Sequence, residues 1–479
     1  MAAILIKNGT VYDGTGAPPK RTDILIERDH IARLGDFGRR EAERIVDATG
    51  AAVMPGIIEV DFEPEGEEEL FSEGLDRRLL ARGVTTVIDG ADGTAFAPVI
   101  FPLRRGSRDW QTLGEFWRAF QRRPIGVNFG TLIGYAGLRR AFTAGRERDL
   151  DLREMGELRN ILRRGISDGA LGIGLGNAGE LRLPEWELLA IAEEAARGKL
   201  VLALHLDDGE GMLGENIARV LAAAKKSGAS VELSHFEPMK ASSDVYRSAL
   251  IALEKQAARA NVDFDIFPLA STRFPITAFF PIWIKGGTPE TVLADISASH
   301  AKDRLLTHLK KLPLAELRVI EVPRHLRAFQ GKRIGELAAS WGTRPERAFL
   351  RLAIATRLIC RLADPKVDRE VLESMLANPR SILTLSFHEA EAGNDLKGTF
   401  AAAASGGKLA EEQVIAKLTG APAKKFGLAR RGLIAPDHFA DIVILRDERV
   451  QTVFVNGSEV WNEGVLAAKR VGVAIRRGK

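Results

Sequence analysis

The sequence predicts an α/β protein organised around a parallel sheet, open or closed into a barrel, on the strength of three features. Short β-rich runs alternate with helical runs through the middle of the chain. Apolar–polar alternation marks both ends, and 479 residues leave room for about three units of ~150 residues each.

In chain order, residues 3–7 and 23–27 alternate apolar and polar side chains on either side of the turn-forming Asp13-Gly14-Thr15-Gly16, the pattern of half-buried antiparallel strands. Residues 57–60, 85–89, 171–175, 200–205, 231–235 and 263–267 then form β-rich runs. Helical runs separate them, such as 185–197 after Pro184 and 215–227. Repeated βα units of this length require parallel pairing, although pattern alone leaves the strand count open. From about 274 to 378 the rhythm changes to an apolar stretch, 274–284, followed by mostly helical sequence. This reads as an insertion or lid whose apolar run packs in a core. Alternation returns at 440–445 and 450–455, and Asn456-Gly457 signals a type I′ hairpin turn.

Composition narrows the function classes. Apolar residues make up 45% and charged residues 28%, which excludes wholesale disorder. Lys and Arg total 68 against 64 acids, a net +4, too small an excess for a nucleic-acid-binding stripe. The single Cys360 excludes disulfide scaffolds and all-Cys metal sites and fits a reducing compartment. No secretory signal pattern and no run of ~18 apolar residues is visible, so the expectation is a soluble cytoplasmic protein without nucleic-acid or membrane partners.

Three groups of residues carry candidate chemistry. Gly174-Leu175-Gly176-Asn177-Ala178-Gly179 matches G-x-G-x-x-G, but the following helix starts only at Pro184, so a tight glycine-rich strand end is the better reading. His205 and His235 each close a β run in successive βα units, and in a parallel barrel such strand ends meet at one face. Carboxylates hold similar positions: Asp61 and Glu63 after the first run, Asp92 after the second, Asp207 and Asp208 after His205, and Glu237 after His235. So many acids around two imidazoles call for a cation or a basic ligand, unless several turn out to solvent.

The opening Met54-Pro55-Gly56-Ile57-Ile58-Glu59 and the tail segments Leu418-Thr419-Gly420-Ala421-Pro422-Ala423 and Arg431-Gly432-Leu433-Ile434-Ala435-Pro436 resemble the amidohydrolase superfamily. Gly83-Val84-Thr85-Thr86-Val87, Phe96-Ala97-Pro98, Asp168-Gly169-Ala170-Leu171-Gly172, Ser234-His235 and Ala270-Ser271-Thr272 are similar to the D-aminoacylases, the N-acyl-D-amino-acid deacylases. The resemblance implies a (β/α)8 TIM-like barrel at 55–430, with the insertion at about 274–378. It also implies a small β-sandwich made by residues 1–54 and 431–479. It further implies zinc-assisted amide hydrolysis, in which an aspartate on the last strand moves the proton.

Carried over position by position, that chemistry is broken up. The family's first-strand His-x-His reads Asp61-Phe62-Glu63, its second-strand cysteine falls on Asp92, and its later histidines are kept as His205 and His235. The strand-eight Ser-Asp falls on Ser386-Phe387, and a phenylalanine cannot take a proton. Around the substrate, Gly-His-Gly becomes Gly134-Tyr135-Ala136, and two basic positions become Asp207 and Glu237. Tyr-Pro-Tyr becomes Phe267-Pro268-Leu269, and only Asp395 or Lys397 lies near the position of the carboxylate-binding arginine.

Two readings follow. In the first, the barrel has lost standard deacylation and binds a small ligand or a protein partner in a pocket lined by Tyr135, Phe267 and Phe387, with no cofactor. In the second, Asp92, His205 and His235 hold one divalent metal, zinc foremost. Asp61 and Glu63 then shift preference toward manganese or iron, and Asp207, Asp208 or Glu237 replaces the missing base in C–N hydrolysis of a neutral or cationic substrate. The oligomeric state is open on either reading.

Overall fold

A computed structural model of the chain describes residues 3–38, 41–64, 66–99, 110–146, 148–177, 183–206, 213–238, 243–256, 261–268, 272–285, 289–364, 368–385, 396–404 and 409–478. Its centre is one parallel sheet. The strands are β1 (Ile57–Phe62), β2 (Val84–Asp89), β3 (Asn128–Gly134), β4 (Gly172–Asn177), β5 (Val201–His205), β6 (Ser230–Ser234), β7 (Val262–Ile266) and β8 (Ser381–Leu383). They pair in strict sequence order from β1 to β8. Helices connect successive strands, among them Leu152–Ser167, Glu185–Arg197 and Leu213–Ser227. Buried residues of these helices, such as Leu158, Ile191 and Ile217, share one large apolar cluster with Val87, Ile173, Leu204 and Phe264 of the strands.

Side chains show how far the sheet curls. In a flat sheet with a spacing of about 4.8 Å, β1 and β6 would lie roughly 24 Å apart and β1 and β8 roughly 34 Å apart. Instead, Asp61 of β1 touches His235, which follows β6, and Glu59 Oε2 accepts the N–H of Leu385, just past β8, at 2.8 Å. Among the described residues no backbone ladder joins β1 to β8, so Glu59 stitches that seam. The domain is therefore TIM-like. At the opposite end from the strand C-termini, the helix Gly420–Phe426 sends Lys425 Nζ to the carbonyls of Val231 and Asn261, at the starts of β6 and β7, and to Asp263 Oδ2 at 2.8 Å. Phe426 and Ile475 pack there with Ile58, Ile88, Leu132 and Val201.

The chain ends form two further sheets. Ile4–Lys7, Asp23–Glu27, His30–Gly35 and Arg44–Asp47 make a four-stranded sheet. A seven-stranded sheet joins N-terminal Ala52–Pro55 antiparallel to C-terminal Ile442–Arg446. Both sheets contribute to one apolar cluster containing Ile6, Ile24, Val53, Ile442 and Phe454. The Asn456-Gly457 turn has positive φ at both residues, 48° and 73°, as a type I′ turn requires. The final segment returns to the parallel sheet, where Phe129 N–H donates to Val473 and Ile475 N–H donates to Phe129.

The insertion has its own core, built on Ile276, Phe280, Ile284, Leu305, Phe349 and Leu362, so the apolar run at 274–284 contributes Ile276, Phe280 and Ile284 to it while Trp283 is exposed. It is less helical than its sequence suggests. Thr272–Pro275, Arg361–Asp364 and Arg318–Glu321 form a three-stranded antiparallel sheet within it. Among the described residues no helix is long and apolar enough to cross a membrane.

The seam makes a pH prediction. Burial, with the Asp61 charge adding to it, pushes the Glu59 pKa up to about 8. A folded-state pKa above the unfolded value means stability is present at low pH and lost as pH rises through the folded pKa, here between about 4.5 and 8, at about 1.4 kcal/mol per unit within that window. Glu59→Gln removes the ionisation and keeps one of the two acceptors that serve Asp61 and Leu385. In metal-free protein the melting temperature of the variant relative to the parent should rise between pH 5 and pH 8; a difference that stays constant between those pH values would refute the assignment.

Candidate metal centre

The parallel register sets the site. His205 ends β5 and lies opposite Ser234 of β6, and Leu206 N–H donates to Ser234 at 2.9 Å, so His205 and His235 emerge side by side. Their rings stand 4.6 Å apart. Asp61 reaches them across the curled sheet, its Oδ2 lying 2.5 Å from His235 Nε2. One ligand atom from each of Asp61, His205 and His235 falls within 4.8 Å of the other two.

The electrostatics explain the close contact. Burial alone would lower the His235 pKa, but the charge and hydrogen bond of Asp61, with Glu237 beyond, hold it well above the ordinary imidazole value. Asp61 thus favours the protonated imidazole, and a metal ion would compete with that proton for Nε2. Glu63 Oε1 lies 3.9 Å from His205 Nδ1, and Glu237 Oε1 lies 3.9 Å from His235 Nδ1. His205 Nδ1 is buried and has no hydrogen-bond partner among the described residues. Two imidazole nitrogens and a carboxylate oxygen are a complete three-ligand set for zinc, and carboxylates nearby suit harder ions. The donor set fits one divalent cation, with Asp61, His205 and His235 holding it.

The other expected residues are placed differently. The Asp92 carboxylate is engaged locally, Oδ1 accepting Thr94 N–H at 2.9 Å and Oδ2 accepting the Thr94 hydroxyl at 2.6 Å, and it is not among the converging ligand atoms. Burial, then the charge of Glu63, raises its pKa to about 6, with His205 acting the other way. Tyr135 does not line this pocket. It is fully buried, and its hydroxyl donates to Glu187, which Arg139 also grips through Nε at 2.7 Å. Phe267 is buried just after β7. Asp207, Asp208, Phe387 and Asp395 lie outside the described residues, as does the side chain of Lys397.

The glycine motif has a packing role. A Cβ on Gly174 would stand 1.9 Å from the Gly90 carbonyl, and one on Gly93 would stand 2.4 Å from Gly176 Cα. Glycines here let the end of β4 lie directly on the loop after β2, beside Asp92.

Sequence reasoning missed a layer of acids beneath the centre. Glu232 of β6 and Asp265 of β7 are 1% exposed. Burial, then the neighbouring Asp265, keeps the Glu232 pKa well above the usual carboxyl range. Asp265 also grips the site's backbone: its Oδ1 accepts His235 N–H at 2.9 Å, and its carbonyl accepts Phe236 N–H at 3.1 Å. His235 has φ of +57°, a left-handed conformation costing a residue with a Cβ about 1–2 kcal/mol. The signal was present in Val262-Asp263-Phe264-Asp265-Ile266, where acids interrupt a buried strand.

A curled parallel sheet with metal-type ligands at its strand ends is a TIM-like α/β architecture. Within that class the chain is similar, along nearly its whole length, to the D-aminoacylases. It is 24% identical to a D-aminoacylase of Alcaligenes xylosoxydans xylosoxydans, over 99% of this chain and 97% of the relative. It is 26% identical to an N-acyl-D-glutamate deacylase of the same organism, over 99% and 96%. The fold matches the N-acyl-D-glutamate deacylase of Bordetella bronchiseptica, solved with zinc and a phosphonate inhibitor, at TM-score 0.78 and 23% identity, covering 99% of both chains. A D-aminoacylase structure matches equally, at TM-score 0.78 and 22% identity over 99% of both chains. No family model matches the chain.

Asp61→Asn removes the charge that holds the His235 proton. Imidazole NMR titration of metal-free protein should show the His235 pKa falling by more than about 1 unit in that variant; an unchanged titration would exclude Asp61 as the cause.

Proposed function

We propose that this D-aminoacylase-like protein has lost standard hydrolysis of N-acyl-D-amino acids and retains its strand-end pocket to hold one divalent metal and, with it, a small neutral or cationic ligand. The observation that carries this reading is the convergence of Asp61, His205 and His235. Zinc suits the set best, and manganese or iron become competitive as Glu63 or Glu237 approach.

The loss of standard turnover follows from what replaces the family's machinery. Phe387 stands at the position of the proton-carrying aspartate, and Asp207 and Glu237 stand where cations would receive a substrate carboxylate. A carboxylate facing another at ~4 Å costs on the order of 1–4 kcal/mol, so an N-acyl amino acid with a free carboxylate is repelled where its relatives attract it. Neutral or cationic groups meet no such barrier. The architecture belonging to this reading is a barrel at 55–430 carrying the insertion, with residues 1–54 and 431–479 paired as a small β-sandwich, in a cytoplasmic protein.

One observation favours a second reading, a working C–N hydrolase. Asp92, with its pKa near 6 and Glu63 and His205 as neighbours, lies in the range useful for a general base at neutral pH. A bound metal would supply a polarised carbonyl and an activated water. Asp92 would receive the proton, while Asp61, His205 and His235 keep their ligand role.

Metal analysis of protein purified without chelator or affinity-tag metal tests the proposal. The expected result is about one divalent ion per chain, lost in the His205→Ala/His235→Ala double variant, with no turnover of N-acyl-D-amino acids after zinc, manganese or iron is supplied. Metal-free protein that takes up no added metal would overturn the metal-holding reading. Turnover of neutral or cationic amides that Asp92→Asn abolishes without loss of metal would establish the hydrolase.

A further inference from the structure

We infer that Asp265 is the positioning residue of the metal centre: its side chain fixes the left-handed backbone of His235 and so aims the imidazole at Asp61 and at the ion. The inference rests on the metal-holding reading for its purpose, though its geometry stands apart from it.

The ladder between β6 and β7 pairs Val231 with Val262, Glu232 with Asp263 and Leu233 with Phe264, and it goes no further. Beyond that point β6 still has to deliver His235 to the centre. Continued extended backbone would not turn the residue out of the sheet, and the chain instead takes φ of +57° at His235, followed by a tight turn in which Glu237 N–H donates to the His235 carbonyl at 2.8 Å. That turn leaves the His235 N–H without a strand partner. Asp265 Oδ1 takes its place at 2.9 Å, while the Asp265 backbone carbonyl holds Phe236 N–H. One residue of β7 therefore clamps two successive amides of the turn, and it is 1% exposed. The imidazole at the end of this chain of contacts lies 2.5 Å from Asp61 Oδ2 and 4.6 Å, centroid to centroid, from His205. Rotating the turn moves Nε2 away from both, and ligands freed from their outer supports lose metal affinity by about 10–100-fold.

The test uses the full-length protein with zinc or cobalt alone as the probe. Asp265→Asn keeps an oxygen for the His235 amide and should bind metal within a few-fold of the parent, whereas Asp265→Ala should bind about 10–100-fold more weakly. Amide hydrogen exchange in metal-free protein gives a second readout: the His235 amide should be protected in the parent and in Asp265→Asn and should exchange rapidly in Asp265→Ala. If Asp265→Ala does not fold, Asp265→Leu, with the same branched skeleton and no acceptor, takes its place. Equal metal affinity for the acceptor-free variant and the parent, or equally weak binding by Asp265→Asn, would overturn the inference. A parent protein that binds no metal but shows the expected exchange pattern would refute the metal-holding reading and leave the clamp standing.

Discussion

A carboxylate withdrawn from water needs a cation or a proton, and this barrel encloses more carboxyl groups than cations. Glu59, Asp61, Asp89, Glu232 and Asp265 are all buried, and His235 is the imidazole wedged among them. Much else in the interior follows from that imbalance. Asp61 holds His235 across the sheet, burial raises the pKa of both Glu232 and Asp265, and Glu59 spends its oxygens on the backbone amides of Asp61 and Leu385. The same imbalance that makes a divalent cation welcome also ties together strands that no backbone ladder joins.

The surroundings of the two strand-end histidines are rich in acids: Asp61 touches His235, Glu63 Oε1 lies 3.9 Å from His205 Nδ1, and Glu237 Oε1 lies 3.9 Å from His235 Nδ1. Negative charge gathered in this way favours cations over anions beside those imidazoles.

The sequence made β1, β2 and β4 to β7 legible because buried parallel strands read as short, largely apolar runs between helical ones. β3 was hidden by Asn128, Gly130, Thr131 and Gly134, and β8 is only three residues long, too short to register as a pattern. At the site, His205 and His235 were legible as strand-end residues. The partnership of Asp61 with His235 was harder to see, since it depends on the curl of the sheet and joins residues far apart in the chain. Asp265 was overlooked because it was read simply as part of a strand. The three-stranded sheet of the insertion likewise escaped, its pairings spanning residues 272 to 364.

The pairing of Ala52–Pro55 with Ile442–Arg446, and the return of the last segment to Phe129, impose an order on biosynthesis. Nearly the whole polypeptide must leave the ribosome before the sheet that contains its first strands can be completed. During translation the edge of Ala52–Pro55 waits unpaired while the central βα units assemble. Until Ile442–Arg446 arrives, that edge of Ala52–Pro55 presents unpaired backbone, the kind of surface on which a second chain can add a strand.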